Sequence, residues 1–431
     1  MSADHLRVWV NNKPVGRLAR HGNGATFSYD EGVDPSQAIS LTMPVRVASY
    51  NTEYGMLPVF DTNLPEGALM DKIRSALSKA HNSKVDAIDV LTITGGNQIG
   101  RIRVLPDGEE PVRRRPIGKI SEILDREACK DLVEEITERY ALRSGVSGAM
   151  PKVLIDDMAH EDHDTEVHPF GGDDDEEGHR STIQTRDYIL KFDDVDYPGL
   201  SLNEFHCLEV ARTAGLNVAE AELSRDGKML AVKRFDEVGD ERSGFEDFAS
   251  LNGQVSEEKY QGNIEKNLFK KLESVSGKDA RKNMEDLYKI LVTNIGLRNG
   301  DAHLKNFAVL FEDAKDGAVK LAPAYDIVTT RAWIKADMMA LKYSGTNRWP
   351  NEKSLIQMGA RAKLPPARAK EIIQEIGTAI QERIPVMTAD LEARGMGELA
   401  KNIRDQWNDG LTKSFNMEPV EIEAELETPS L

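Results

Sequence analysis

The run Asn299-Gly300-Asp301-Ala302-His303-Leu304-Lys305-Asn306-Phe307 sets an aspartate five residues ahead of an asparagine, and Ala324-Tyr325-Asp326-Ile327 follows. A carboxylate and a side-chain amide at that spacing suit phosphoryl transfer. The reaction asks for one carboxylate to orient the attacking hydroxyl and for oxygen ligands that hold Mg²⁺ across the β- and γ-phosphates. Asp301 is the candidate base, and Asn306 and Asp326 are the candidate metal ligands. An Asp-x-x-x-x-Asn pair alone is common by chance, and a lone Asp326 would serve equally as a helix cap. Order lifts the set above that level. The polar loop leads into two short strand candidates, Phe307–Phe311 and Val319–Leu321, and Asp326 comes just after them.

A nucleotide needs a second wall, upstream. Tyr188–Phe192 reads as a strand and puts Lys191 where a phosphate-pairing lysine belongs, and Glu204 on the following helix could hold it as an ion pair. The plainer alternatives are a solubility charge on an edge strand for Lys191 and, for Glu204, a capping box Ser201-x-x-Glu204 opening a helix over Ser201–Ala214. Ahead of a strand at Val153–Ile155 lies Ser144-Gly145-Val146-Ser147-Gly148-Ala149-Met150-Pro151-Lys152. Small residues let backbone N–H groups approach phosphates without a Cβ clash. Val146, Ser147, Gly148, Ala149 and Lys152 are therefore candidate ATP contacts. The run matches neither G-x-G-x-x-G nor the Walker A pattern, and a flexible hairpin accounts for it equally well. Protein-kinase catalytic loops share the Asp-to-Asn spacing seen here.

The elements that must carry these residues fall into three stretches. Residues 1–110 alternate short apolar runs with turns: Arg7–Val10, the turn Asn11-Asn12, Val15–Leu18, and a strand over Ile99–Leu105 after the turn Gly95-Gly96-Asn97. Between them Glu66–Ala80 has helical spacing, with Leu69, Ile73 and Leu77 on one face. Asp107–Pro116 reads as a linker. Residues 111–240 form a nucleotide-binding lobe, with a helix over Ser121–Leu142, the strands already named and a further one at Met229–Val232. Residues 241–431 turn helical: Ile264–Ser274, Arg281–Leu297, Glu352–Met358, and Pro366–Arg394 with a break. The fold class expected is α+β, a small amino-terminal subdomain ahead of a bilobal core whose second lobe is mainly helical.

The chain has 431 residues, 40% of them hydrophobic, and a net charge of −18. Eleven of its carboxylates lie between Asp156 and Gly178 and five between Glu418 and Glu427, with no Lys or Arg among them; discounting these sixteen leaves −2. The acidity is local and argues against nucleic-acid binding by the chain alone. The segment 156–178 has no apolar periodicity and is expected to be a mobile loop. His160, His163, His168 and His179 in and beside it lack the spacing of a defined metal site. Cys129 and Cys207 cannot build a disulfide framework or a structural zinc site alone. No stretch approaches the roughly 18 apolar residues of a membrane span, and MSADHLRVWV lacks the apolar core of a signal peptide. A cytoplasmic protein without membrane contact is expected.

Taken in order, these pieces resemble one family over nearly the whole chain. Val8–Leu18 and Gly95–Leu105, Ser-Gly-Ala-Met-Pro-Lys at 147–152, Asn203-Glu204, Ala231-Val232-Lys233-Arg234-Phe235-Asp236, Gly300–Asn306 and Tyr325-Asp326-Ile327 look like a HipA-type serine/threonine kinase, the toxin of bacterial HipBA toxin–antitoxin modules. The resemblance implies a protein-kinase-like core and an ATP- and Mg²⁺-dependent reaction. It implies that Asp301 is the base, that Asn306 and Asp326 bind the metal, and that the backbone around Lys233, Arg234 and Phe235 receives adenine. It also implies autophosphorylation of a loop serine, Ser147 first and Ser144 second, which would eject the loop and switch the kinase off. The implied substrate is an aminoacyl-tRNA synthetase, notably glutamyl-tRNA synthetase, with growth arrest and drug tolerance as the outcome. The implied partner is a small HipB-like helix-turn-helix antitoxin, through which the chain would reach operator DNA as a corepressor. His303 stands where many eukaryotic-type kinases have a lysine near the γ-phosphate, so Lys305 or another residue would take that role. Ile327-Val328 replaces the usual Phe-Gly after the metal aspartate.

Two other readings share part of this pattern. A small-molecule kinase of the aminoglycoside or choline type has an Asp-x-His-x-x-Asn loop, but the amino-terminal subdomain speaks against it. A silent corepressor would not require Lys191, Asp301, Asn306 and Asp326 together.

Overall fold

The computed structural model describes residues 5–66, 70, 73–75, 77–78, 85–111, 120–126, 152–155, 188–193, 196–238 and 241–422. The glycine-rich run with Ser144, Val146, Ser147, Gly148 and Ala149, the acidic segment 156–178, Cys129, most of the helix expected over Ser121–Leu142 and part of that over Glu66–Ala80 lie outside these residues.

The amino-terminal module is built on alternation. Strands β1 (His5–Val10), β2 (Lys13–His21), β3 (Gly24–Tyr29), β4 (Tyr50–Asn51) and β5 (Ile102–Pro106) form one antiparallel sheet ordered β4-β3-β2-β1-β5. Leu6, Val8, Leu18, Phe27 and Val104 point to one face and are fully buried. Asn11, at φ 51°, makes the tight turn expected between β1 and β2. Ile88, Val90 and Leu91 of the helix Ala87–Thr94 close that face, and Asp86 and Asp89 cap the helix reciprocally. Gly95 ends this helix, its N–H on the Leu91 carbonyl, and β5 begins at Ile102 rather than Ile99.

The next sheet is antiparallel, ordered β6-β7-β9-β8 from Lys152–Ile155, Tyr188–Phe192, Met229–Lys233 and Ala221–Leu223. It leans on the helix Leu200–Thr213. Beyond a two-stranded ladder, β10 (Glu237–Val238) with β11 (Glu241–Arg242), strands β12 (Gly244–Asp247), β13 (Ala308–Phe311) and β14 (Val319–Leu321) pair as a third unit. They sit on the helices Ala280–Gly296, Glu352–Arg361, Pro366–Ala393 and Gly397–Asp409, which share a large apolar core around Leu287, Ile376 and Trp407. The break expected in 366–394 is absent: the helix runs unbroken, with Pro385 inside it. The segment expected as one helix over Ile264–Ser274 is a π-helical turn, Ile264–Lys270, continued by an α-helix to Ser276. Among the described residues no helix is long and apolar enough to cross a membrane.

Candidate active site

Lys191 is the fourth of the five residues of β7, 5% exposed, opposite Lys152 on one neighbour and Leu230 on the other. A buried ammonium is costly unless it is paired. Here Nζ donates to Glu204 and, at 2.6 Å, to Oδ1 of Asp326. Burial alone would lower the lysine's pKa, but Asp326 and Glu204 outweigh it and hold Lys191 above its ordinary value. The expected capping box is absent: the helix starts at Leu200 after Gly199 at φ 80°, and the carboxylate of Asp193 accepts the N–H groups of Gly199 and Ser201, both at 2.8 Å.

The loop that carries Asp301 and Asn306 leaves the helix Ala280–Gly296 through Arg298, which is wholly buried at φ 58°. Its guanidinium bonds Asp409 at 2.8 Å and Ser414 at 2.9 Å and lies 5.1 Å from the Trp349 ring. Gly300 donates its N–H to Thr330 Oγ1 at 2.7 Å, and a Cβ there would fall 1.9 Å from Oδ2 of Asp337. Any side chain at this position would have to displace the Asp337 carboxylate. Asp301 comes next, and its carboxylate accepts the hydroxyl of Tyr260 at 2.7 Å. His303 packs edge-on against the Tyr260 ring, 5.1 Å between centroids, and burial with nearby Lys259 pushes its pKa down to about 3. The imidazole is therefore neutral.

Asn306 brings the two halves together. Its Nδ2 donates to Oδ2 of Asp326 at 2.9 Å, and its Oδ1 accepts the His303 N–H at 3.0 Å. Asp326 sits at φ 58°, in the left-handed region that Asp tolerates better than most residues. Oxygen donors from Asp326 and Asn306 suit a hard cation. Among the described residues no group of three or more His, Cys, Asp or Glu could hold a metal. An ion here would complete its shell from phosphates and water, as Mg²⁺ ordinarily does.

Lys191, Tyr260, Asp301, His303, Asn306 and Asp326 line one cavity of about 810 Å³ between the lobes, while Glu204 stands behind Lys191. Lys233, Arg234 and Phe235 line it too, but the Arg234 side chain turns away. Its Nε meets Asp236 at 2.9 Å, and Asp236 also takes the Gly100 N–H at 2.7 Å, so this pair joins the core to the amino-terminal module. Phe235 packs against Tyr325, 5.7 Å between rings, and Phe245 completes the aromatic wall. Lys305 spends its three donors on the Thr62 carbonyl at 3.1 Å, Ser256 Oγ at 2.9 Å and Glu66 at 2.6 Å. Lys259 holds the other oxygen of Glu66 at 2.7 Å. Burial would raise the pKa of Glu66, but Lys305 and Lys259 bring it down to about 2. Lys305 thus anchors the loop 299–306 to the amino-terminal module.

Sequence reasoning missed Glu66, Lys259, Tyr260, Phe245 and Tyr325 as site residues. Glu66 and Lys259 are single charges far from any motif and carried no signal. Tyr325 adjoins Asp326 in the sequence, and an aromatic beside a candidate metal ligand is the signal available.

Comparison with known proteins gives a consistent picture. Residues 144–384 match the family model HipA-like C-terminal domain, and residues 6–105 match the HipA N-terminal domain. A putative kinase, Y4mE of Sinorhizobium fredii, is 29% identical over 364 residues, covering 77% of this chain and 79% of its own. A second putative kinase of that organism, Y4dM, is 29% identical over 195 residues, 41% of this chain and 46% of its own. Among solved structures, HipA of Shewanella oneidensis, determined with HipB and operator DNA, superimposes with a TM-score of 0.66 at 19% identity, over 97% of this chain and 100% of that one.

Proposed function

The chain belongs to the HipA family, and on that premise we propose that it is an ATP- and Mg²⁺-dependent serine/threonine-protein kinase, the toxin of a toxin–antitoxin pair. The observation that carries this reading is the link from Lys191 through Asp326 to Asn306, in one cavity with Asp301. Lys191 would pair with the nucleotide's phosphates, oriented by Glu204. Asn306 and Asp326 would hold Mg²⁺, which when bound neutralises charge on the phosphates. Phe235, Phe245 and Tyr325 supply an apolar wall for the base, with backbone around Lys233 and Arg234 beside it. Asp301 orients the acceptor hydroxyl and takes its proton.

The remaining parts of the proposal go beyond the site. The acceptor would be an aminoacyl-tRNA synthetase, glutamyl-tRNA synthetase first, and the kinase would also phosphorylate itself on Ser147 or, second, Ser144. A HipB-like antitoxin would be the partner and would provide most of the contact with operator DNA, in keeping with the complex formed by the Shewanella relative. Net charge concentrated in two acidic segments fits DNA contact made mainly through a partner.

The test is intact mass and phosphopeptide mapping after incubation with Mg²⁺-ATP, beside Asp301→Asn. Phosphate on Ser147 or Ser144 in the parent protein alone is expected. Unchanged phosphorylation in Asp301→Asn would remove Asp301 as the base.

A further inference from the structure

The cavity has two ends of different character. The nucleotide end is walled by Val232, Phe235, Phe245 and Tyr325 around the Lys191 ion pairs. The other end lies across Asp301 and is formed by the segment 330–339 and by the turn ahead of the helix Leu200–Thr213. Among the described residues eight large apolar side chains stand exposed, and four of them, Tyr197, Tyr260, Ile334 and Met338, line this cavity. Ile334 is 47% exposed and Met338 54%. Phosphates have no use for such a surface, and exposed apolar side chains gathered in one place mark a binding site.

Their position relative to Asp301 is set by bonds already described. Gly300 is tied to Thr330, and Asp337 lies against Gly300, so Ile334 and Met338 flank the residue next to the base. Tyr197 meets Trp333 edge-on, 6.0 Å between rings at 88°, and closes the far side. The Tyr260 hydroxyl, 2.7 Å from Oδ1 of Asp301, occupies a place that an acceptor hydroxyl would take.

We propose that this mouth receives a polypeptide segment in which a bulky apolar side chain stands within two or three residues of the reactive serine or threonine. The inference rests on the kinase reading. The acceptor hydroxyl displaces that of Tyr260 from Asp301, and the neighbouring apolar side chain packs on Ile334 and Met338. The hydroxyl oxygen then bonds to the γ-phosphorus as the bond to the bridging oxygen breaks. ADP leaves, and the hydroxyl proton passes to Asp301. A cationic small acceptor would draw on Asp301 and Asp337, the carboxylates at this mouth, and would leave Ile334 and Met338 without use.

The test offers the full chain and Mg²⁺-ATP a dephosphorylated peptide library, with hydroxyl-bearing metabolites in parallel, and compares the double variant Ile334→Glu, Met338→Glu. Phosphopeptides should be enriched in Leu, Ile, Met, Val or Phe near the modified residue. The variant should lose about ten- to a hundredfold in kcat/KM for those peptides, with affinity for a fluorescent ATP analogue within twofold of the parent. That retained affinity also shows that the variant is folded. Phosphopeptides without apolar preference, or a variant that transfers as the parent does, overturn the proposal. Transfer to metabolites alone overturns it and leaves the kinase reading standing. Absence of nucleotide binding by the parent overturns both.

Discussion

The two ends of the interlobe cavity are built by opposite rules. At the nucleotide end, charges are buried and tied to one another: Lys191 to Glu204 and Asp326, and Arg234 to Asp236. At the other end, apolar groups are left in solvent on a segment held by a few polar bonds to Gly300 and Asp409. Buried charge is expensive to misplace, so such a cluster has one arrangement and suits invariant chemistry. Exposed apolar surface fits many shapes and suits choice of acceptor. On the proposed reading, the molecule separates what it does from what it does it to.

Breaking the nucleotide end should have the largest effect. Asp326→Ala removes the partner of both Lys191 and Asn306, and phosphoryl transfer should fall at least about a thousandfold. A radiolabel transfer assay checks this, with circular dichroism to confirm the fold.

Gly300→Ala attacks the seam between the two ends. The added methyl must push aside either the Asp337 carboxylate or the loop. With Asp337 held by Thr330, the loop should move by about 1 Å, at a cost of about a hundredfold in kcat. A wild-type rate would mean that the segment 330–339 is not held where the contact places it.

Asp409→Ala addresses the acceptor side from behind. Arg298 is fully buried and bonded to Asp409, and Arg331 at the start of the acceptor segment shares that carboxylate at 3.1 Å. Removing it should destabilise the protein by about 3 kcal/mol, read by denaturant unfolding. ATP affinity measured under native conditions should hardly move.

The smallest effect concerns Glu246, which belongs to neither end. It is buried between the amino-terminal module and the core, accepting from Ser40 Oγ at 2.7 Å and the Leu41 N–H at 3.0 Å, and burial pushes its pKa up to about 7. The folded state therefore keeps a proton that the unfolded chain loses near the ordinary pKa of 4.5. Stability falls as pH rises between those values, by about 1 kcal/mol per unit, and is level above them. Glu246→Gln should flatten that slope in unfolding curves taken from pH 5 to pH 8.

Legibility from sequence divides along the same line. The grouping of Asp301, Asn306 and Asp326 could be read because it depends on short spacings, and that of Lys191 with Glu204 because a strand followed by a helix limits what a buried lysine can meet. Glu204 also fitted a capping box, and Asp193, eight residues before Ser201, took that position instead. The link from Glu66 to Lys305 spans 239 residues and left no local pattern. The acceptor mouth was missed because Trp333, Ile334, Met338 and Met339 fall on irregular backbone, where neither helical nor strand period applies. A cluster of large apolar residues without period, soon after a candidate metal ligand, was the available signal.

The most direct test of the central claim measures ATP affinity and phosphoryl transfer together in Asp301→Asn and Asp326→Ala. If Asp301 acts on the acceptor and Asp326 helps to hold the nucleotide, Asp301→Asn binds Mg²⁺-ATP like the parent and transfers nothing, while Asp326→Ala loses both. Transfer by Asp301→Asn at the parent rate, or undiminished Mg²⁺-ATP binding by Asp326→Ala, would contradict it.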